Sequence, residues 1–536
     1  MNNTDNKSLA ITTNSFSRGV NLHLASVKDK IWDIIIIGGG ATGLGAAVDA
    51  ATRGLSTLLL EQADFAKGTS SRATKLVHGG VRYLAQGDIA LVREALRERG
   101  LLFKNAPHLV KNQSFIIPNY SWWDRVFYTI GLTLYDMLAG KLSFGRAAHI
   151  NKQQVLKRLP TIQKKNLHGG VVYHDGQFDD ARLAVNLAQT AIEQGAVVLN
   201  YVKVITLEKD ADGKVAGVKA VDAETDITYT FKARTVINAT GIFVDEILRM
   251  DAPEKKPIVR PSQGVHLVLD ASFMPAEDAL MIPKTSDGRV LFAVPWHGKL
   301  LVGTTDTLIE ESNMEPIALE NEIKFILETA GQYLTKVPAR RDVLSVFAGL
   351  RPLAAPQKGS SKTKEISRSH KIMTSDTGLV TITGGKWTTY RRMGEDVVNV
   401  AVKTGKLKPG PSKTANLAIH GSLPKPDYST HWYVYGADRH FIEILTKENT
   451  DWAHRVHPDD EYTRAEVIWS VRNEMARTVE DILARRVRLL FLNARLAIQM
   501  APAVAELMAG QLNKDREWQR QQVEAFNQIA ENYVLK

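Results

Sequence analysis

Residues 32–61 read WDIIIIGGGATGLGAAVDAATRGLSTLLLE. Four consecutive isoleucines at 34–37, with no polar alternation, suit a strand buried on both faces of a parallel sheet. After a glycine cluster, residues 46–53 are mostly strong helix formers, and they stop at Gly54, which tolerates the left-handed position that follows a helix. A second apolar run at 57–60 closes the unit. Strand, turn, helix and strand follow in order.

The turn carries Gly38-x-Gly40-x-x-Gly43. In a strand-to-helix turn the first glycine permits the tight bend, the second lets a pyrophosphate approach the backbone, and the third lets helix and strand pack closely. Glu61 ends the second strand, 18 residues after Gly43, where an acid accepts hydrogen bonds from ribose hydroxyls. Dinucleotide binding is therefore expected. A nicotinamide-binding domain would continue with another strand and helix. Here residues 64–83, DFAKGTSSRATKLVHGGVRY, are rich in hydroxyls and glycines and suit a buried, extended cofactor such as FAD. Two further strand-and-turn stretches, VINATG at 236–241 and GLVTITGGKWTTYRRMGED at 378–396, fit the same picture. A helix starting beside residues 385–389 would aim its positive end at whatever lies there; if that is a flavin pyrimidine edge, it would stabilise the negative charge of the reduced ring.

Working outward, apolar runs at 170–173, 196–204, 235–240, 291–294, 300–304 and 379–383 are strand candidates, and the alternation over 204–236 reads as an antiparallel meander between parallel strands. Residues 406–426, rich in Pro, Gly, Lys and Ser, read as a linker. Beyond them residues 464–508 space apolar side chains at three and four positions, with Pro502 as the one internal breaker, which predicts helix.

With 536 residues, 44% hydrophobic and 24% charged, the chain has the composition of a globular protein of two or three domains. No cysteine is present, which rules out disulfides, thiolate metal sites and a cysteinyl flavin link. The formal charge of +10 favours anionic partners. It is spread along the chain, so nucleic acid is not expected. The first thirty residues lack the apolar run of a secretory signal, so a cytoplasmic catalytic body is expected. Apolar stretches at 31–51 and 125–144 are interrupted by glycines or charges and do not read as membrane spans. No histidine–carboxylate cluster has metal-ligand spacing, and no nucleophilic triad is apparent.

These residues together resemble the FAD-dependent glycerol-3-phosphate dehydrogenase family, within the D-amino-acid-oxidase-like flavoproteins. The resemblance rests on GGGATGLG at 38–45 with Glu61, GTSSRATKLVHGGVRYL at 68–84, VINATG at 236–241, LVGTTD at 301–306, GLRPL at 349–353 and GGKWTTYR at 384–391, in the family's order. Residues 467–491 resemble its helical cap. About thirty N-terminal residues have no counterpart in the pattern.

The resemblance implies an α/β fold plus a helical domain: an FAD-binding Rossmann-like domain, an antiparallel-sheet substrate domain and a C-terminal helical cap. The expected division is an N-terminal extension at 1–30, a catalytic body at 31–403, a linker at 404–426 and the cap at 427–536. Within the body, the FAD part spans about 31–105, 180–245 and 345–403, and the substrate part about 106–179 and 246–344.

Non-covalent FAD would be held by Gly38, Gly40, Ala41, Thr42, Gly43 and Glu61, and by Thr69, Ser70, Ser71, His78, Gly79 and Gly80. Ala239, Thr240 and Gly241, then Thr305 and Asp306, then Gly385, Lys386 and Thr388 complete the expected set. Over the flavin the resemblance implies Arg82, Tyr83, His266, Arg351, Arg368 and Lys386. Arg351 and Arg368 lead as ligands of a phosphate dianion, because a guanidinium bonds it bidentately. His266 is the first choice for general base and His78 the second. Lys386 would stabilise reduced flavin or the forming carbonyl oxygen.

The implied activity is oxidation of sn-glycerol 3-phosphate to dihydroxyacetone phosphate. A membrane quinone would take the electrons, reached by peripheral attachment to an acidic lipid surface on the inner face of the cytoplasmic membrane through SWWDRVFYTIGLTLYDMLAG at 121–140. An oxidase using dioxygen, and a flavin-binding regulatory module without turnover, stand as alternatives. A homodimer is left open.

Overall fold

In a computed structural model, residues 29–80, 88–283, 285, 288–354 and 370–536 are described. The expected extension at 1–30 lies outside them apart from its last two residues, as do Arg82, Tyr83 and Arg368.

The isoleucine run forms the strand Ile31–Ile37 at the middle of an eight-stranded sheet. It pairs in parallel with Thr57–Leu60 on one side and Thr228–Asn238 on the other. Parallel neighbours Val197–Leu199 and Val380–Thr383 extend the sheet on both sides. Ile34 and Ile36 enter one hydrophobic core, and Ile35 and Ile37 enter another on the opposite face, which is why the strand reads as unbroken apolar sequence. Each buried isoleucine contributes roughly 2 kcal/mol. The helix Ala41–Thr52 packs between the helices Asp180–Glu193 and Tyr390–Thr404 on the first of these faces. The alternating stretch forms the expected meander: Val202–Lys209, Val215–Asp222 and Thr228–Asn238 pair antiparallel in sequence.

The second sheet has ten strands. Its long members are Val110–Asn119, Gly169–Phe178, Val259–Asp270 and Val343–Ala354. The last of these, grouped from sequence largely with the FAD part, pairs along Val259–Asp270 in this sheet. Leu76–Val77, from a loop also assigned there, pairs with Gly169–Phe178. Both pairings depend on register across long stretches of sequence, which no local pattern encodes.

One face of this sheet, with Val265, Leu267, Leu280 and Val346, is covered by the helix Glu320–Tyr333 and its neighbours. The opposite face has three zones. Phe115, Val171 and Tyr173 underlie the helix Trp122–Ala139, whereas Val268, Leu301 and Phe347 underlie the helical C-terminal region. Between them the sheet is open.

In the C-terminal region the helix Arg464–Asn473 stops, and regular α-helix resumes at Leu489–Leu492 and Ala494–Leu512. Pro502, expected to interrupt, lies inside the last of these, which is anchored in the core by Ala501, Val504 and Ala505. The interruption falls instead where the interior takes up charge. Arg182 makes two 2.7 Å bonds to Glu474, Arg485 and Arg486 converge on Asp64, and Arg488 reaches Asp180 at 2.9 Å. Apolar periodicity carries no signal for such pairs.

Residues 406–426 run mainly as coil against the body. His420, in this segment, bridges Glu193 at 2.5 Å and Asp438 at 2.8 Å, and His431 bridges Glu466 and Glu461. Burial opposes protonation of both, but the carboxylates prevail and carry His420 up to about 10 and His431 up to about 9. Because these pKa values exceed the unfolded value of about 6.5, the stabilisation is complete below that pH and is lost as pH rises through 9 and 10. The melting temperature, scanned from neutral to pH 10.5, is expected to fall in that window, and His420→Gln should flatten the fall. A melting temperature that stays level to pH 10.5 in the unaltered chain would contradict the charged assignment.

Candidate active site

A cavity of about 450 Å³ lies between the two sheets. At one end it follows the turn after Ile31–Ile37. Gly38 takes φ +110°, and a side chain there would meet the Ala239 carbonyl oxygen at 2.7 Å. A Cβ on Gly43 would lie 1.9 Å from the Gly38 carbonyl oxygen, so the helix can start this close to the strand only with glycine. Gly38, Gly40, Ala41 and Thr42 line the cavity at the helix N-terminus, where the backbone amides and the dipole favour a pyrophosphate.

Glu61 also lines it, and its carboxylate accepts the amides of Gly39 at 2.6 Å and Ala63 at 2.9 Å. Burial raises its pKa, and these two bonds oppose the rise. Beside Glu61 the cavity continues along Val202, Lys203 and Val204 to Met250, a wall the sequence reading did not find.

The loop after Glu61 forms the next stretch of lining with Thr69, Ser70, His78 and Gly80. Ser70 Oγ accepts the Ala41 amide at 3.0 Å, and Thr69 Oγ1 donates to the Leu350 carbonyl at 2.6 Å. Across the cavity, Ala239, Thr240 and Gly241 follow the strand Thr228–Asn238, and Thr240 Oγ1 donates to Asn238 Oδ1 at 2.7 Å. Gly385, Lys386 and Thr388 form the third side. Gly385 has φ +82°, and a Cβ there would strike Met393 Sδ at 2.3 Å. The Thr388 hydroxyl accepts the His78 amide at 3.2 Å, which ties this turn to the loop. Gly43, Ser71 and Gly79, expected as cofactor ligands, support the walls from behind and do not line the cavity.

The open zone of the second sheet supplies the floor. His266, Gly264, Gly349 and Arg351 point to it from the adjacent strands Val259–Asp270 and Val343–Ala354, with Gly303 on the other side of His266. The three glycines leave room for flat groups: a Cβ on Gly264 would lie 2.3 Å from Arg351 Nη2, and one on Gly303 would lie 2.3 Å from His266 Cδ2. Arg351 donates to the Gln263 and Thr305 carbonyls at 3.3 and 3.2 Å and to Thr304 Oγ1 at 3.1 Å, with Asp306 3.5 Å away. Thr305 and Asp306 line the same corner.

His266 is 2% exposed and stacks on Phe347 with ring centres 5.0 Å apart. Its Nε2 lies 2.9 Å from Thr74 Oγ1. Burial first, then the charges of Lys75 and Arg351, push its pKa well below the ordinary imidazole value, so the ring is neutral. Beyond His266 the floor becomes apolar with Phe292, Met281, Phe115 and Tyr173.

Thr74, the glycine floor and this apolar wall escaped the sequence reading. For the floor alone there was a signal, Gly303 in LVGTTD and Gly349 in GLRPL.

The cavity thus joins a dinucleotide cradle to a cationic pocket holding one neutral histidine. A family model described as FAD dependent oxidoreductase matches residues 33–391, and one described as the C-terminal domain of alpha-glycerophosphate oxidase matches residues 376–519. The human mitochondrial glycerol-3-phosphate dehydrogenase is 41% identical over 530 residues, covering 92% of this chain and 72% of that protein. The chain belongs to the FAD-dependent glycerol-3-phosphate dehydrogenase family.

Among solved structures, the glycerol-3-phosphate dehydrogenase of Bacillus halodurans complexed with FAD superposes with a TM-score of 0.75 at 30% identity, covering 97% of this chain and 98% of that one. The FAD-bound L-alpha-glycerophosphate oxidase of Mycoplasma pneumoniae, at 17% identity and a TM-score of 0.56, covers 72% of this chain and 98% of that one, and shares the fold. FAD is the family's cofactor, and the glycine turn, Glu61 and the helix N-terminus fit its dinucleotide portion.

Proposed function

We propose that the chain oxidises sn-glycerol 3-phosphate to dihydroxyacetone phosphate and passes the electrons to a membrane quinone. The observation that carries the reading is the pairing of Arg351 with neutral His266 on a glycine floor that opens onto the FAD cradle. Bound FAD supplies the acceptor, at N5, for the hydride leaving the carbinol carbon.

In this reading the chain's own groups do the rest. Arg351 holds the phosphate dianion, with Arg82, Tyr83 and Arg368 assigned to the same anchor from the family motifs. His266 takes the hydroxyl proton, and the dianion's charge offsets that of Arg351 and brings the imidazole into a more basic range. Lys386 stabilises the carbonyl oxygen as it forms, and His78 supports the cofactor from the loop.

Quinone is favoured as acceptor by the helix Trp122–Ala139. It buries Leu132 and Tyr135 on the sheet and exposes Phe127, Ile130, Leu134 and Met137 along one outer face. Basic residues Arg146, Lys152, Lys157, Lys164 and Lys165 follow it in the chain, which suits an acidic lipid surface. No described helix is long and apolar enough to cross a membrane, so attachment is read as monotopic. Replacing Phe127, Ile130 and Met137 together by serine is expected to weaken binding to anionic vesicles by on the order of 1,000-fold or more, since each such side chain contributes roughly 1.5–3 kcal/mol when buried. Unchanged cosedimentation would remove this surface from the reading.

The family match of the C-terminal region to an oxidase keeps dioxygen as the second reading. One experiment tests both: anaerobic glycerol 3-phosphate should bleach the bound flavin, and colour should return faster with a quinone analogue than with dioxygen. Faster return with dioxygen makes the chain an oxidase. Flavin that stays yellow with the substrate defeats the assigned reaction.

A further inference from the structure

We propose that Thr74 is a positioning residue for the oxidation, held in place by the buried carboxylate of Asp180, which the helical C-terminal region locks through Arg488. The inference rests on the reading of His266 as proton acceptor, and adds that Thr74, which lines the same cavity, and the helical C-terminal region behind it set the state of its ring.

Thr74 Oγ1 is the hydrogen-bond partner of His266 among the described residues, at Nε2. Phe347 covers one ring face, Gly303 lies against the Cδ2 edge, and Nδ1 is buried with no partner among the described residues. A neutral imidazole carries one N–H, and the Thr74 hydroxyl can accept from it or donate to the bare nitrogen; we take the first arrangement, which the 15N spectrum tests. With Nε2–H donating to Thr74 Oγ1, Nδ1 keeps its lone pair and is the nitrogen that receives the substrate proton. After the transfer the same bond persists and stabilises the imidazolium, whose other charged neighbours, Lys75 and Arg351, both oppose it.

The placement of Thr74 is not left to its own backbone. The residue before it, Ala73, donates its amide to Asp180 Oδ2 at 3.0 Å. The residue after it, Lys75, donates Nζ to both oxygens of Asp180 at 2.9 and 2.7 Å. Lys75 adopts φ +64°, a left-handed conformation that L-residues disfavour, and these bonds hold it there. Both sides of Thr74 are thus fastened to one carboxylate that is fully buried.

Arg488, from more than 300 residues later, completes the arrangement. It bonds Asp180 Oδ1 at 2.9 Å and the Ser71 carbonyl at 3.1 Å, and lies 3.7 Å from Asp179, which also meets His297 at 3.2 Å. Lys75 Nζ sits among Trp296, Phe347 and Phe491, so the ring stacked on His266 also walls this cluster.

The test uses the FAD-loaded protein and two readouts across pH 6–9: the rate of anaerobic flavin reduction by glycerol 3-phosphate, and the 15N spectrum of His266, assigned with His266→Asn. Thr74→Val is expected to slow reduction about 100-fold, the size of effect a misplaced catalytic group produces, and to shift the His266 tautomer. Thr74→Ser should return the rate to within about threefold of the unaltered protein. Arg488→Met should move the pH profile and the spectrum in the direction of Thr74→Val. If Arg488→Met does not retain FAD, Arg488→Lys is read in its place.

A Thr74→Val protein that reduces its flavin at the unaltered rate with an unaltered His266 spectrum overturns the proposal. So does a Thr74→Ser protein as slow as Thr74→Val. An Arg488 variant that is slower with the same pH profile and spectrum overturns the role of the C-terminal region. If the unaltered protein is not reduced at all, the assigned reaction fails, and the His266 spectra of the Thr74 variants still decide the positioning.

Discussion

Replacing Arg351 by alanine should raise the KM for glycerol 3-phosphate by roughly 100-fold or more while FAD stays bound. The guanidinium is set before any ligand arrives: three hydrogen bonds to residues 263, 304 and 305 fix its plane, and the missing Cβ of Gly264 gives it a flat bed. Loss of charge-assisted bonds to a phosphate costs roughly 1.5–3 kcal/mol each, so two of them account for an effect of this size. Among the described residues it bonds Gln263, Thr304 and Thr305 and not the glycine turn, so cofactor content should not change. Arg351→Lys should recover little, because a point charge cannot reproduce the fork. Steady-state kinetics beside the flavin spectrum decides it; loss of FAD in the alanine variant would make Arg351 a cofactor support and refute the anchor.

Gly40→Val should abolish FAD binding in a chain that still folds. Gly40 precedes the helix Ala41–Thr52 and lines the cavity, and a single Cβ there would already stand 3.1 Å from Ser70 Oγ. Two further methyl groups have only the pyrophosphate space to enter. Ser70 cannot simply retreat, since it accepts the Ala41 amide at 3.0 Å. A colourless protein with unchanged circular dichroism is the expected result. Flavin absorbance retained through purification would mean that the pyrophosphate lies elsewhere.

The two predictions differ in how far they were legible. Gly40 belongs to a unit whose strand, turn and helix are contiguous, so the residues that dictate its geometry sit within thirty positions of one another. The buried isoleucines, the meander and Glu61 were readable for the same reason. Arg351 is one arginine among many until Val343–Ala354 pairs with Val259–Asp270 and sets it beside Ser262. Thr74 had no readable signal: it looks like one more hydroxyl in a hydroxyl-rich loop, and its meaning comes from His266, 192 residues away.

The C-terminal region was expected to be helical and is. Its interruption after Asn473 was invisible because it is shaped by Glu474 pairing with Arg182, and by Arg485, Arg486 and Arg488 pairing with Asp64 and Asp180, of the catalytic body. Charged residues in a helical stretch ordinarily signal a wet surface. Here Arg485, Arg486 and Arg488 are each 1% exposed.

Asp64 sits three residues past Glu61, fully buried, and the guanidinium groups that neutralise it arrive more than 400 residues later in the chain. An interior carboxylate left without its partner costs several kcal/mol. The two ends of the chain therefore stabilise one another: the turn that follows Glu61 keeps its buried charge only while Arg485 and Arg486 are docked against it. A chain that stops before Arg485 is expected to leave Asp64 buried without a partner and to melt at a lower temperature than the full chain.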